Sequence, residues 1–152
     1  MSEGRVQDFN IWRVSNLTCK LDFADKDLSG KDISGAYLNG AVADRTDFSD
    51  AILSGVNLVQ ASLNDANFEG ANLTGALLMY AEMNEARLVN ANLAKTNLMW
   101  TNLRNADLTG SKTSQTIFVE ANLQNAKLAG VSKAGAYLKF AKLDDTGWFE
   151  HR

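Results

Sequence analysis

The sequence predicts an all-β chain wound as a parallel β-helix of five-residue units, and three periodic observations carry that expectation. Large apolar residues recur at every fifth position in one unbroken phase. Small residues, mostly Ala, recur two positions earlier, and nine of the eleven glycines fall two positions later. Proline is absent from all 152 residues. That suits a chain that is sheet-like almost throughout, because proline removes a ladder donor.

The large column begins at Phe23 and steps through Leu28, Ile33 and Leu38 to Leu138, Leu143 and Trp148. It counts twenty-six units, broken only by Ala43, Thr113 and Lys133. The small column includes Ala36, Ala41, Ala51, Ala61, Ala66 and Ala71. Residues two apart point to the same side of an extended segment, so both columns face one interior. The glycine column (Gly30, Gly35, Gly40, Gly55 and their successors) supplies the positive φ of a tight turn. Each unit is therefore an extended piece plus a corner, and four corners close a coil of twenty residues. At the ordinary inter-strand spacing, about six and a half coils make a rod roughly 31 Å long. A helix is excluded, because leucines five apart march around its axis and never form a face.

Residues 1–20 fall outside this phase. Val6, Phe9, Ile11, Trp12, Val14 and Leu17 are apolar without the five-residue spacing, and an exposed solenoid end needs a cap. Two forms fit: a short helix using Val6, Phe9 and Trp12, or irregular first units with Trp12 and Leu17 five apart. The β-helix proper is expected over 21–150. Lys26 and Lys31 stand in normally small inward slots and are tolerable if their stems leave through the open first coil. Thr113 and Lys133 stack in the central column, and an ammonium is not expected among leucines. The corners 111–115 and 131–135 are therefore expected to bulge outward, unless Lys133 escapes through the nearby C-terminal end. Only four residues follow Trp148, so no capping helix is expected there, and Trp148 with Phe149 would be free to stack two rods end to end.

The units Ala71-Asn72-Leu73-Thr74-Gly75, Ala91-Asn92-Leu93, Ala106-Asp107-Leu108-Thr109-Gly110 and Ala121-Asn122-Leu123 closely resemble the pentapeptide-repeat family. Its consensus is Ala, then Asn or Asp, then Leu or Phe, then two variable residues. The resemblance covers nearly the whole chain. It implies a right-handed quadrilateral parallel β-helix of about six to seven coils. Some members, including quinolone-resistance proteins, imitate duplex DNA and bind type II topoisomerases.

Catalytic chemistry finds no purchase in this composition. The one histidine is His151 and the one cysteine is Cys19, which cannot make a catalytic triad or a zinc site. The glycines follow the repeat phase and form no phosphate loop. The chain is read as a non-enzyme with no cofactor and no metal. A net charge of −3 argues against direct nucleic-acid binding. The opening Met1-Ser2-Glu3-Gly4-Arg5 does not resemble a signal peptide, no segment approaches a membrane span, and a lone cysteine suits a reducing compartment. A soluble cytoplasmic protein without a small-molecule substrate is expected.

Residues twenty apart share a side of the coil, so surface chemistry can be read side by side. The first side carries Asp22, Asp25, Asp44, Asp65, Glu82, Glu85, Asp144 and Asp145 against Arg45, Arg104 and Lys142, a local balance of −5. The fourth side presents Tyr37, Val59, Leu77, Met79, Tyr80, Met99, Trp100, Ile117, Val119, Tyr137 and Phe140. So many large apolar residues on one side of a short rod mark a contact surface. Tyr80 and Trp100, one coil apart in the same slot, are expected to bring their rings together. The leading functional reading is a protein-interaction or structural module that uses the fourth side, for a homodimer or a protein partner. The alternative is an acidic DNA mimic acting on a DNA-binding protein such as a type II topoisomerase. It is weakened here because acid is concentrated on one side only.

Overall fold

The computed structural model describes residues 3–148, as one helix followed by a continuous stack of four-sided coils. The coils contain no long strand. They are joined by single parallel bridges between residues twenty apart, from Asp22↔Val42 to Asn122↔Lys142.

One unit accounts for all its backbone donors and explains the repeat. In 71–75, the Asn72 N–H donates to Ala51 O in the coil before, while Leu73 and Gly75 donate to Asn92 O and Ala94 O in the coil after. The Ala76 N–H closes the corner on Leu73 O at 2.9 Å. With φ +67° at Gly75, this is a type II turn. Only the Thr74 N–H points away from both neighbouring coils, and the Asn72 side chain takes it at 3.1 Å. The same bond recurs from Ser29 to Asp27, Val59 to Asn57 and Thr109 to Asp107. The Asn or Asp of the second position is therefore a backbone acceptor. A buried amide left without one is costly.

The central column fills the interior. From Phe48 to Leu108 every large residue in it is fully buried, with Ala, Thr or, at position 56, Val in the second inward slot. Where Thr replaces Ala, its hydroxyl finds a carbonyl one coil back, as Thr96 does with Leu73 O at 2.7 Å. Phe48 and Phe68 stack with centroids 4.9 Å apart, close to the strand spacing. The corner column has positive φ throughout 25–145, at sixteen non-glycine residues as well as nine glycines.

The N-terminal cap is the helix α1, Glu3–Ser15. Its buried positions are Val6 and Arg13, with Phe9 half-buried, while Ile11, Trp12, Val14 and Leu17 are exposed. Of the two forms expected for this end, the helix is the one present, and it turns Arg13 inward while Trp12 stays exposed with its ring against Phe9. α1 lies against the fourth side of the first coil in place of a preceding coil. Asn10 accepts from the Tyr37 N–H at 2.8 Å and donates to Gly35 O, and Arg13 donates to Asn39 O at 3.0 Å. The other sides stay open. Phe23 and Leu28 are only partly buried there, and Lys26 and Lys31 are exposed.

The expected bulge is half present. Thr113 is 3% exposed and sits inside the coil, because its hydroxyl donates to Ser132 O at 2.7 Å. The departure falls on 131–135 alone. Bridging lapses between Lys112 and Ser132, and Lys133 turns out to solvent with its Nζ 5.8 Å from the Trp148 ring. That distance is within cation–π reach. Trp148 itself closes the interior, edge-on to Phe118 and donating Nε1–H to Val131 O. Phe149, proposed above for end-to-end stacking, lies outside the described residues.

Candidate interaction surface

The bridge register turns the fourth side into three vertical columns. Tyr37, Asn57, Leu77, Asn97, Ile117 and Tyr137 are joined in sequence by bridges. Beside them run the two corner residues of each coil, one column from Asn39 to Lys139 and one from Gly40 to Phe140. All eleven apolar residues expected here lie in these columns, but not equally. Tyr37, Leu77, Tyr80, Trp100, Tyr137 and Phe140 are exposed, whereas Val59, Met79, Met99, Ile117 and Val119 are half-buried. Met79 folds over the side, where its sulfur accepts from Asn97 Nδ2 at 3.1 Å. Ile52 on the third side is exposed as well, as are Ile11, Trp12, Val14 and Leu17 at the N-terminal end. Ile52 stands in an outward slot that the five-residue pattern leaves free to vary, whereas the N-terminal four lie outside the repeat phase.

Tyr80 and Trp100 are at the centre. Their rings stack with centroids 4.8 Å apart and planes 10° from parallel, and they remain 51% and 41% exposed. Both sit at left-handed corners, with φ +61° and +57°, as does Phe140 at +61°. A bulky residue there costs about 1–2 kcal/mol, and a stack returns about 0.5–1.5 kcal/mol. Relief and loss should nearly cancel in Trp100→Gly, so denaturant titration is expected to place it within about 1 kcal/mol of the parent. A loss above about 3 kcal/mol would make Trp100 a structural residue instead.

The eight carboxylates of the first side lie in its three columns, and most are tied into the rod. Arg45 holds Asp25 through two bonds of 2.6 and 2.8 Å, and this keeps the Asp25 carboxyl below its usual range. Asp44 accepts from Ser62 Oγ and from the backbone and side chain of Asn64. Asn84 continues that ladder onto Asn64. Glu82 accepts from Asn84 and Asn102, Asp144 from Gln124, and Asp22 from the Ala24 N–H. Among the described residues, no group of three or more His, Cys, Asp or Glu is arranged to hold a metal.

The sequence model of pentapeptide repeats matches in overlapping copies from residue 22 to residue 132. The structure is similar to that of HetL, a pentapeptide repeat protein involved in heterocyst differentiation regulation from the cyanobacterium Nostoc sp. strain PCC 7120. The identity is 28% and the TM-score 0.52, over 84% of this chain and 70% of that one. It is also similar to Rfr23, a pentapeptide repeat protein from the cyanobacterium Cyanothece 51142, at 22% identity and TM-score 0.53, over 86% and 98%. None of the curated protein sequences matches. No catalytic family is indicated, and proteins of this repeat class are generally structural or interaction modules. The fold is the right-handed quadrilateral β-helix, and this chain belongs to the pentapeptide-repeat family.

Proposed function

We propose that this chain is a non-enzymatic interaction module of the cytoplasm, a rigid rod whose fourth side binds a protein surface. The observation that carries this reading is the Tyr80–Trp100 stack, exposed at the middle of an apolar side. Two aromatics occupy corners where glycine would be less strained, and their stack returns little more than part of that strain. Aromatic residues clustered at the centre of a patch are the usual energetic core of an interface. HetL acts in regulation, which supports a regulatory rather than chemical role, and the unpaired, exposed Cys19 fits a reducing compartment.

The acidic side supports a DNA mimic less well. A mimic offers free phosphate-like charge to a basic groove, whereas five of its eight carboxylates already accept hydrogen bonds from within the rod.

The test is Trp100→Glu combined with Met79→Glu, compared with Glu82→Gln on the first side. The fourth-side pair is expected to lose every complex the parent forms, with itself or with a protein partner, while the far-ultraviolet spectrum stays unchanged. Complexes that survive the fourth-side pair and disappear with Glu82→Gln would transfer the function to the acidic side.

A further inference from the structure

We propose that the partner seated on the fourth side is a second copy of this chain, packed antiparallel about a two-fold axis that crosses the rod between the coils of Leu78 and Leu98. This rests on the reading of the fourth side as the contact surface, and goes beyond it by naming the occupant and its register.

The order of residues along the side selects this occupant. A two-fold lying across the rod places each coil opposite its mirror in the stack, first on sixth, second on fifth, third on fourth, and keeps every column on itself. A surface that binds its own copy this way must be complementary to its own reversal. The middle column reads Val59, Met79, Met99, Val119, which is the same in both directions. Valine meets valine and methionine meets methionine. In the corner column Tyr80 meets the other copy's Trp100, so two stacked pairs lie together at the axis. At the ends of that column Gly40, with no side chain, lies opposite Phe140, the most exposed aromatic of the side at 71%. In the bridge column Tyr37 meets Tyr137, while Asn57 opposite Ile117 and Leu77 opposite Asn97 are the mixed pairs.

Charge selects the same register. The side carries two charged residues in these columns, Glu120 and Lys139. The antiparallel two-fold sets Glu120 opposite Gln60 and Lys139 opposite Asn39, so each finds an uncharged hydrogen-bonding partner. Rods set parallel about the middle column would put Lys139 on its own copy and Glu120 on Ile117. Like-charge juxtaposition and a desolvated carboxylate both cost affinity. The reach of a six-coil side is modest. It buries on the order of 1,000 Å² in total at strand spacing, at the threshold for a specific interface. Area alone does not set affinity, but with a single aromatic cluster at its centre the dimer is expected at the weak end of specific complexes, dissociating at roughly 10 µM.

Sedimentation at concentrations above and below that value is the first measurement, with site-specific cross-linking as the second. On a Cys19→Ser background, Val59→Cys and Val119→Cys are made separately and treated with a short thiol cross-linker matched to the ~10 Å spacing of packed sheets. The antiparallel dimer predicts covalent dimers when the two variants are mixed and at least tenfold less with either alone. Cross-linking of Val59→Cys to itself would overturn the register. A parent that stays monomeric throughout the range would overturn the self-association and leave the fourth side to a foreign protein. A dimer that survives Trp100→Glu with Met79→Glu would overturn both this inference and the reading of the fourth side beneath it.

Discussion

Leu73→Asp is expected to yield no folded, soluble protein, while Asn92→Asp, one coil away, should fold like the parent. Leu73 is fully buried in the central column, between Leu53 and Leu93 of the adjacent coils. A carboxylate there is either charged without a partner or protonated among leucines, at a cost of several kcal/mol against a total stability of about 5–15 kcal/mol. Asn92 offers one oxygen to the Ala94 N–H from the outside of the coil, and an aspartate supplies the same acceptor. Expression, solubility and thermal melting followed by circular dichroism make the comparison. A Leu73→Asp protein with unchanged melting would mean that the central column does not face the interior.

Arg13→Ala is expected to release α1 and lower stability by at least about 3 kcal/mol. Arg13 is 4% exposed. One of its terminal nitrogens donates to Asn16 O, Leu17 O and Cys19 O, and the other to Asn39 O, twenty-six residues away. It therefore holds the end of the helix, the connector and the first coil together. Hydrogen bonds from a charged donor contribute about 1.5–3 kcal/mol each, and orphaned carbonyls add a penalty. Arg13→Lys should not rescue, because a single ammonium cannot reproduce a planar fork reaching two separate sets of acceptors. Hydrogen exchange of the α1 amides, with Tm alongside, is the measurement. Full protection of α1 in Arg13→Ala would show that Val6 and Phe9 hold the cap by apolar contact alone.

These two residues mark the boundary of what the chain discloses before it is folded. Leu73 belongs to a column visible by counting in fives, and its burial follows from that phase. Arg13 has no periodic signature: an arginine in an apolar stretch reads as solvated, and its distant acceptor is set only when the first coil closes. Trp12, the largest apolar residue of the cap, stays exposed, and the inner face goes to the residue that can bond four carbonyls. Thr113 and Lys133 looked alike as interruptions of one column. A hydroxyl can pair with a nearby carbonyl inside a coil, whereas an ammonium must leave it, so only the second coil opens.

The candidate surface divides along the same line. Side membership was legible because a twenty-residue coil stacks like positions, and the aromatic pair at Tyr80 and Trp100 followed from it. Which side chains stand clear was not legible. Met79 and Met99 lie half-covered over the side, and the corner geometry forces left-handed φ on large residues wherever glycine is absent.

Periodicity alone settles the β-helix, its interior and its four sides, because one hydrogen-bonding pattern repeated every five residues leaves the large and small apolar residues a single common direction. Tertiary packing alone settles the ends and the worth of each outward slot. There the repeat has no neighbouring coil to impose its pattern, and individual side chains must find the missing partners.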